Sequence, residues 1–279
     1  MILLLLGCVE FEGDEGRLGF SSNLIAPGSF YLQFDPRQHL VARGTQVEVL
    51  AERRMDLDGD EAKEPQVHAR VRGGELLEHE TGRALFTARR KARVSWEGEV
   101  QDHFTVRFAP VRRLDWVDHA GLFTSYEPLE RVVLLDATLL PMPADRRGRP
   151  LAWAEEDLAL EHDCPEDERG RLSSPEAGLS CRLEARMHGQ SATVELLGEA
   201  PPAHLELLET TFESEDGPVR VLVLKAQTAE GVPVLGLDAE WTGAEPLKGD
   251  LIFERGDVAV AEGSGPVSAK VGSLEARLD

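Results

Sequence analysis

This sequence lacks most of the features that announce a reaction. Gly-x-Ser-x-Gly, Gly-x-x-x-x-Gly-Lys-Ser/Thr and Gly-x-Gly-x-x-Gly are all absent, which removes the sequence signs of a nucleophile elbow, a P-loop and a dinucleotide fold. No stretch approaches the ~20 consecutive apolar residues of a membrane-spanning helix. Lysine is scarce: of 30 basic residues only Lys63, Lys91, Lys225, Lys248 and Lys270 are lysines. Against 51 acidic residues the formal charge is −21, a field that repels phosphate backbones and anionic lipid headgroups and so excludes nucleic acid as a partner. No segment carries a helical stripe of any length. The best helical candidate is Ala154–Glu161, one turn or two.

What is present is a two-residue rhythm. Ala92, Val94 and Trp96 alternate with Arg93, Ser95 and Glu97, and Phe104, Val106 and Phe108 alternate with Thr105 and Arg107. The same pattern recurs at Cys181, Leu183, Ala185 and Met187, at Ala192, Val194 and Leu196, and at Leu235, Leu237, Ala239 and Trp241. Each reads as a half-buried strand. Turn signals such as Arg43-Gly44, Gly73-Gly74, Glu97-Gly98 and Asp216-Gly217-Pro218 punctuate them. Strands at this spacing without intervening helices predict an all-β chain of sandwiches or barrels.

At 279 residues the chain is longer than one small core organises, which predicts two or three units of roughly 100 residues. An internal echo supports this. Ala144-Asp145-Arg146-Arg147-Gly148-Arg149-Pro150-Leu151 and Gln227-Thr228-Ala229-Glu230-Gly231-Val232-Pro233-Val234 both place Gly-x-Pro after an apolar strand. The glycine suits a positive φ and the proline the start of an edge strand. Ala109-Pro110-Val111-Arg112-Arg113 and Glu199-Ala200-Pro201-Pro202-Ala203 mark the ends of two units. The acidic groups Glu155-Glu156-Asp157 and Glu166-Asp167-Glu168 are expected to be solvated loops.

The run Met1 to Gly7 ends at Cys8, and Leu5-Leu6-Gly7-Cys8 resembles the bacterial lipobox, in which a signal peptidase cuts before a cysteine carrying a diacylglycerol thioether. The resemblance implies lipidation at Cys8, palmitate among the acyl chains, and anchoring in a membrane. Cys164 and Cys181 are left as a pair. In an oxidising compartment they form a disulfide; in a reducing one they remain two thiols. The segment Val221 to Ala226 followed by Gly231-Val232-Pro233-Val234-Leu235-Gly236 and Trp241-Thr242 resembles the immunoglobulin-like (Ig-like) domains of bacterial surface proteins, and Leu40 to Val49 resembles the opening strands of such a domain. The resemblance implies tandem Ig-like β-sandwiches. Residues 1–19 are then a truncated signal, lipobox and tether, 20–112 a first sandwich, 113–200 an irregular one holding the disulfide, and 201–279 a third.

Candidate ligand groups are few. Asp56, Asp58, Asp60 and Glu61 offer carboxylates at the spacing of calcium loops of the EF-hand and thrombospondin kind, which they resemble. Glu61 stands at the sixth position, where the EF-hand has glycine, and Val67 at the twelfth, where it has a bidentate acid, so any calcium site here is weak. No other cofactor is implied. The eight histidines are scattered without the His-Glu-x-x-His spacing of zinc hydrolases. Glu78-His79-Glu80, Asp118-His119 and His162-Asp163 read as surface pairs. Trp96 and Trp241 end apolar alternations and are expected in cores, whereas Trp116 follows a boundary and is expected to be exposed.

The resulting expectation is a non-enzymatic lipoprotein of the bacterial cell envelope, in the outer membrane or at the cell surface. It would serve as spacer, structural or adhesion module, with the membrane as one partner through its lipid and a protein or glycan as another. Two alternatives remain open: a soluble calcium- or carbohydrate-binding adhesion module, and a secreted hydrolase whose site assembles only in three dimensions.

Overall fold

The computed structural model describes residues 9–12, 18–25, 40–53, 65–118, 127–135, 139–166, 172, 174–214, 217–248, 254–261 and 264–278. Cys8 and the acidic set Asp56, Asp58, Asp60 and Glu61 lie outside these described residues.

Almost every regular element is a strand. The first stretch supplies β1 (Val9–Glu12), β2 (Leu18–Ser22), β3 (Leu24–Ile25), β4 (Leu40–Ala42), β5 (Val47–Arg53), β6 (Val67–Arg72), β7 (Glu75–Glu80), β8 (Arg83–Thr87), β9 (Lys91–Gly98) and β10 (Asp102–Ala109). Then come β11 (Arg113–Asp118), β12 (Arg131–Leu134), β13 (Leu139–Ala144), β14 (Leu151–Ala154), β15 (Ala159–His162), β16 (Ser180–Met187) and β17 (Gln190–Leu197). The last stretch holds β18 (His204–Ser214), β19 (Gly217–Gln227), β20 (Pro233–Leu235), β21 (Glu240–Thr242), β22 (Glu245–Lys248), β23 (Glu254–Ala261), β24 (Val267–Val271) and β25 (Leu274–Leu278). The helix expected over 154–161 is a single 3-10 turn, Glu155–Asp157. Asp157 closes that turn by accepting the Ala154 N–H, and Ala159–His162 is drawn off into an antiparallel ladder with β16.

These strands make tandem Ig-like β-sandwiches with three main cores. In the first, the sheet β1-β2-β5-β8-β7 faces the sheet β3-β14-β4-β10-β9-β6. The inward alternation of Ala92, Val94 and Trp96 meets Phe20, Val49 and Phe86 from the other sheet, and Phe20 stacks 5.6 Å from Trp96 and 4.9 Å from Phe104. In the second, the pair β11-β13 covers β15-β16-β17-β12, with Trp116, Leu139, Leu183 and Leu196 between them. In the third, β18, β19 and β23 face β21-β24-β25 across Leu222, Ala259 and Ala269.

The boundaries expected at 112/113 and 200/201 fall between β10 and β11 and between β17 and β18, but the sheets run across them. β14 enters the first unit's sheet, antiparallel to β3 and parallel to β4. β20 pairs parallel with β12 of the second unit. Both crossing strands leave the repeated Gly-x-Pro turn, and the two turns are built alike. Asp145 Oδ1 accepts the N–H groups of Arg147 and Arg149, and Thr228 Oγ1 accepts those of Glu230 and Val232 at the matching positions. Gly148 and Gly231 both sit at positive φ, 76° and 78°, the region glycine adopts without steric cost. The proline then opens a strand where no ladder N–H is needed.

Candidate functional site

Two groups of polar side chains lie at the joints between units. At the first joint, Arg43-Gly44-Thr45 follows β4, Asp157 ends the 3-10 turn after β14, and His188 occupies the turn between β16 and β17. Thr45 Oγ1 donates to Asp157 Oδ2 at 2.6 Å, and Ala154 N–H donates to the same oxygen at 3.0 Å. His188 Nε2 stands 3.3 Å from Asp157 Oδ1 and 3.4 Å from Thr45 Oγ1. Thr87 Oγ1 anchors the Thr45 carbonyl from the opposite sheet at 3.1 Å. Thr45 is fully buried.

The local backbone explains why these residues meet. His188 and Gly189 have φ of 47° and 78°, the paired positive values of a two-residue type I′ hairpin. Histidine stands where Asn or Gly would be at ease, at a cost of order 1–3 kcal/mol that the surrounding contacts must offset. Its ring lies against Gly44, whose φ is 107° and where an added Cβ would come within 3.0 Å of His188 Cε1 and Nδ1. Both glycines are thus required, one for the turn and one for the ring.

Serine-protease-like chemistry does not follow from these three side chains. In a relay the carboxylate holds one imidazole nitrogen and the hydroxyl the other, whereas here Asp157 and Thr45 both face Nε2, and Thr45 gives its proton to the carboxylate. The cluster is a clasp joining the first unit, through Thr45, to the second, through Asp157 and His188. Burial alone pushes the Asp157 carboxyl up, but the hydrogen bonds from His188, Thr45 and Ala154 N–H, with attraction to His188, outweigh it and hold the group below the usual carboxylate range. A depressed native value makes the clasp stabilising above the unfolded carboxylate's pKa, and that stabilisation fades as pH falls through the native value. Asp157→Asn is expected to cost about 2 kcal/mol at neutral pH. In urea melts the gap between variant and parent should narrow as pH falls below the ordinary carboxylate range and through the lowered native value; a gap independent of pH would contradict the ionised clasp.

The second joint uses different chemistry. Leu135 N–H donates to Leu235 O at 2.9 Å, Ser174 Oγ donates to Leu134 O, and Lys225 pairs with Glu127 at 3.1 Å. A cleft of about 70 Å3 opens beside it, lined by residues including Glu127, Leu129, Lys225 and Leu235. That is room for a few waters and falls well short of the roughly 300 Å3 of a small-molecule site.

Cys164 and Cys181 form the disulfide, both buried. Asp163, Cys164 and Cys181 place donor atoms within 4.8 Å of one another, but both sulfurs are committed to the bridge and the carboxylate accepts Arg182 N–H at 2.5 Å. His162 is within 3.4 Å of Glu166 rather than paired with Asp163.

Three expectations are corrected. Residues 9–12 and 18–19, expected within a tether, belong to the first sheet, because Val9–Glu12 pairs antiparallel with Gly19–Ser22. Trp116 is buried at 1% exposure, because β11 alternates Leu114 and Trp116 into the second core and the indole N–H reaches Ala192 O at 3.2 Å. The acidic run 155–157 is not wholly solvated, since Asp157 turns inward to the clasp while Glu155 and Glu156 remain outside it. Trp96 is buried, and Trp241 is half-buried against the third core. The clasp itself was not anticipated from sequence. Its one local sign was His188-Gly189 between two alternating strands, a hairpin turn with an unusual first residue.

The strand order defines the class, a protein of Ig-like β-sandwiches joined in series. No protein-family model matches the chain, and no curated protein does. Among solved structures, surface layer protein SbsC, domains 4–9, aligns over 84% of this chain and 42% of that one at 15% identity and a TM-score of 0.34. Invasin, a bacterial integrin-binding protein, aligns over 92% of this chain and 57% of that one at 16% identity and a TM-score of 0.23. The chain spans about half the length of those two.

Proposed function

We propose that this chain is a non-enzymatic spacer of the bacterial cell envelope, anchored through an acylated Cys8 and holding its units in fixed orientation so that a distal face is presented to a protein or glycan. The observation that carries the reading is the construction of the joints. Val41 faces the first core while Leu40 and Ala42 face the second, and Val133 faces the third core while Val132 and Leu134 face the second. Strands that bury their two faces in the cores of two different units tie those units together, unlike the exposed, polar connections between mobile domains. A catalytic cleft would instead call for polar groups open to a substrate, and Thr45 in the clasp is enclosed.

The test has two arms. Cells grown with labelled palmitate should label the parent and not Cys8→Ser, which should move to the soluble fraction; an unlabelled parent, or a variant still in the membrane, defeats the anchor. Small-angle scattering of the soluble variant should fit one arrangement of the units, and a broad spread of inter-unit angles defeats the spacer.

A further inference from the structure

We propose that the chain transmits tension from unit to unit through two three-strand parallel staples. This deepens the spacer reading and rests on its joints, not on Cys8. In the first staple, Leu40–Ala42 of β4 pairs parallel with Arg107–Ala109 of β10, while Leu40–Val41 also pairs parallel with Leu151–Ala152 of β14. In the second, Arg131–Val133 of β12 pairs parallel with Glu195–Leu197 of β17, while Val133–Leu134 pairs parallel with Val234–Leu235 of β20.

Chain direction gives these pairs their mechanical meaning. Past the leading strands β1–β3 of the first unit and β11 of the second, the path enters each staple at the start of β4 or β12 and leaves the unit from the end of β10 or β17. Once those leading strands have been drawn off their ladders, a pull on the chain acts at opposite ends of two side-by-side strands that point the same way. The evenly spaced bonds of a parallel ladder are then strained together rather than one after another, so the barrier to separation includes all of them at once. Resistance to forced opening follows that barrier rather than equilibrium stability.

The third strand of each staple adds to the resistance. Sliding β4 out of place breaks its ladder with β14 as well as that with β10, and uncovers Val41 in the first core and Leu40 and Ala42 in the second. Sliding β12 likewise uncovers Val133 in the third core and Val132 and Leu134 in the second. Polar contacts reinforce the parallel strands: Arg131 Nε meets Glu195 Oε2 at 3.0 Å across the β12–β17 pair, and the Thr45–Asp157–His188 clasp holds the end of β4 to the turn after β14.

The third unit is built differently. β18 pairs along its whole length with β19, Ser214 opposite Gly217, and among the described strands of this unit no counterpart of β4 or β12 crosses to the other sheet. Among the described strands β25 is laddered to β24 alone, in an antiparallel hairpin. The third unit therefore yields first.

Single-molecule pulling of the oxidised full chain, with handles at its two ends, tests this. The first opening should be the third unit. The second unit is recognised because reducing Cys164–Cys181 lengthens its step by the enclosed loop, roughly 55–60 Å for a separation of 17 residues. A second geometry uses the same folded protein with handles on unnatural side chains at Glu130 and Thr193, neighbours at one end of the β12–β17 pair, so that the ladder unzips. Opening force should then fall at least twofold below that of the second unit pulled end to end. Equal forces in the two geometries, or the second unit opening before the third, would overturn the proposal. Failure of the palmitate arm alone would remove the anchor and leave this force contrast in place.

Discussion

Trp153→Ala is expected to lower the unfolding free energy by about 3–5 kcal/mol, the usual cost of emptying a buried aromatic site, and to do so in two units at once. Trp153 is 2% exposed and packs in the second core. Its strand β14, however, is hydrogen-bonded on both edges to strands of the first unit, with Trp153 opposite Ile25 and Leu151 opposite Leu40. Its neighbour Ala152 faces the first core. A cavity under Trp153 thus loosens a strand that the first unit needs to close its own sheet. Amide exchange in Leu18–Ile25 and Leu40–Ala51 should rise together with that in β16 and β17, while β24 and β25 stay protected. Faster exchange confined to the second unit would show that β14 is a passenger in the first unit's sheet.

The prediction depends on something the amino-acid order displays only in part. Alternation marked β9, β10, β16 and β17 because each buries one face, and its period of two survives in the sequence. β12, β13 and β14 were harder. Val132-Val133-Leu134, Leu139 to Ala144 and Leu151 to Ala154 are buried at every position, and a continuous apolar run names no face and no partner. Only the fold shows that their two faces serve different cores. The Gly-x-Pro echo was legible as a turn, since Asp145 and Thr228 act within four residues, but not as a device that sends the next strand into the preceding unit. The clasp was invisible for a related reason: Thr45 and Asp157 are 112 residues apart and Thr45 and His188 are 143 apart. The burial of Trp116 is hidden in the sequence because Ala109 to Arg113 reads as a boundary, and a strand starting directly after a boundary shows no core for it to face.

Reduction of Cys164–Cys181 is the second large perturbation. The bridge joins residues 17 apart in sequence, and releasing a loop of that size restores chain entropy to the unfolded state worth about 3 kcal/mol in the loop-closure treatment. For a unit of this size the melting temperature should fall on the order of 10–20 °C. The native side changes little at first, since β15 and β16 keep their antiparallel ladder from Ala159–Arg186 to His162–Leu183 and Asp163 N–H still reaches Arg182 O at 3.2 Å. The cost falls on the second unit but is not confined to it. β14 leaves that unit to complete the first sheet, and β12 receives β20 from the third, so a second unit that opens more often withdraws a strand from one neighbour and a ladder from the other. Thermal scans of oxidised and reduced protein, read by tryptophan fluorescence from Trp96 in the first core and from Trp116 and Trp153 in the second, should therefore shift together. If Trp96, isolated by replacing the other tryptophans with phenylalanine, melts at the same temperature with and without reductant, the two units are energetically independent and the shared strand carries no coupling between them.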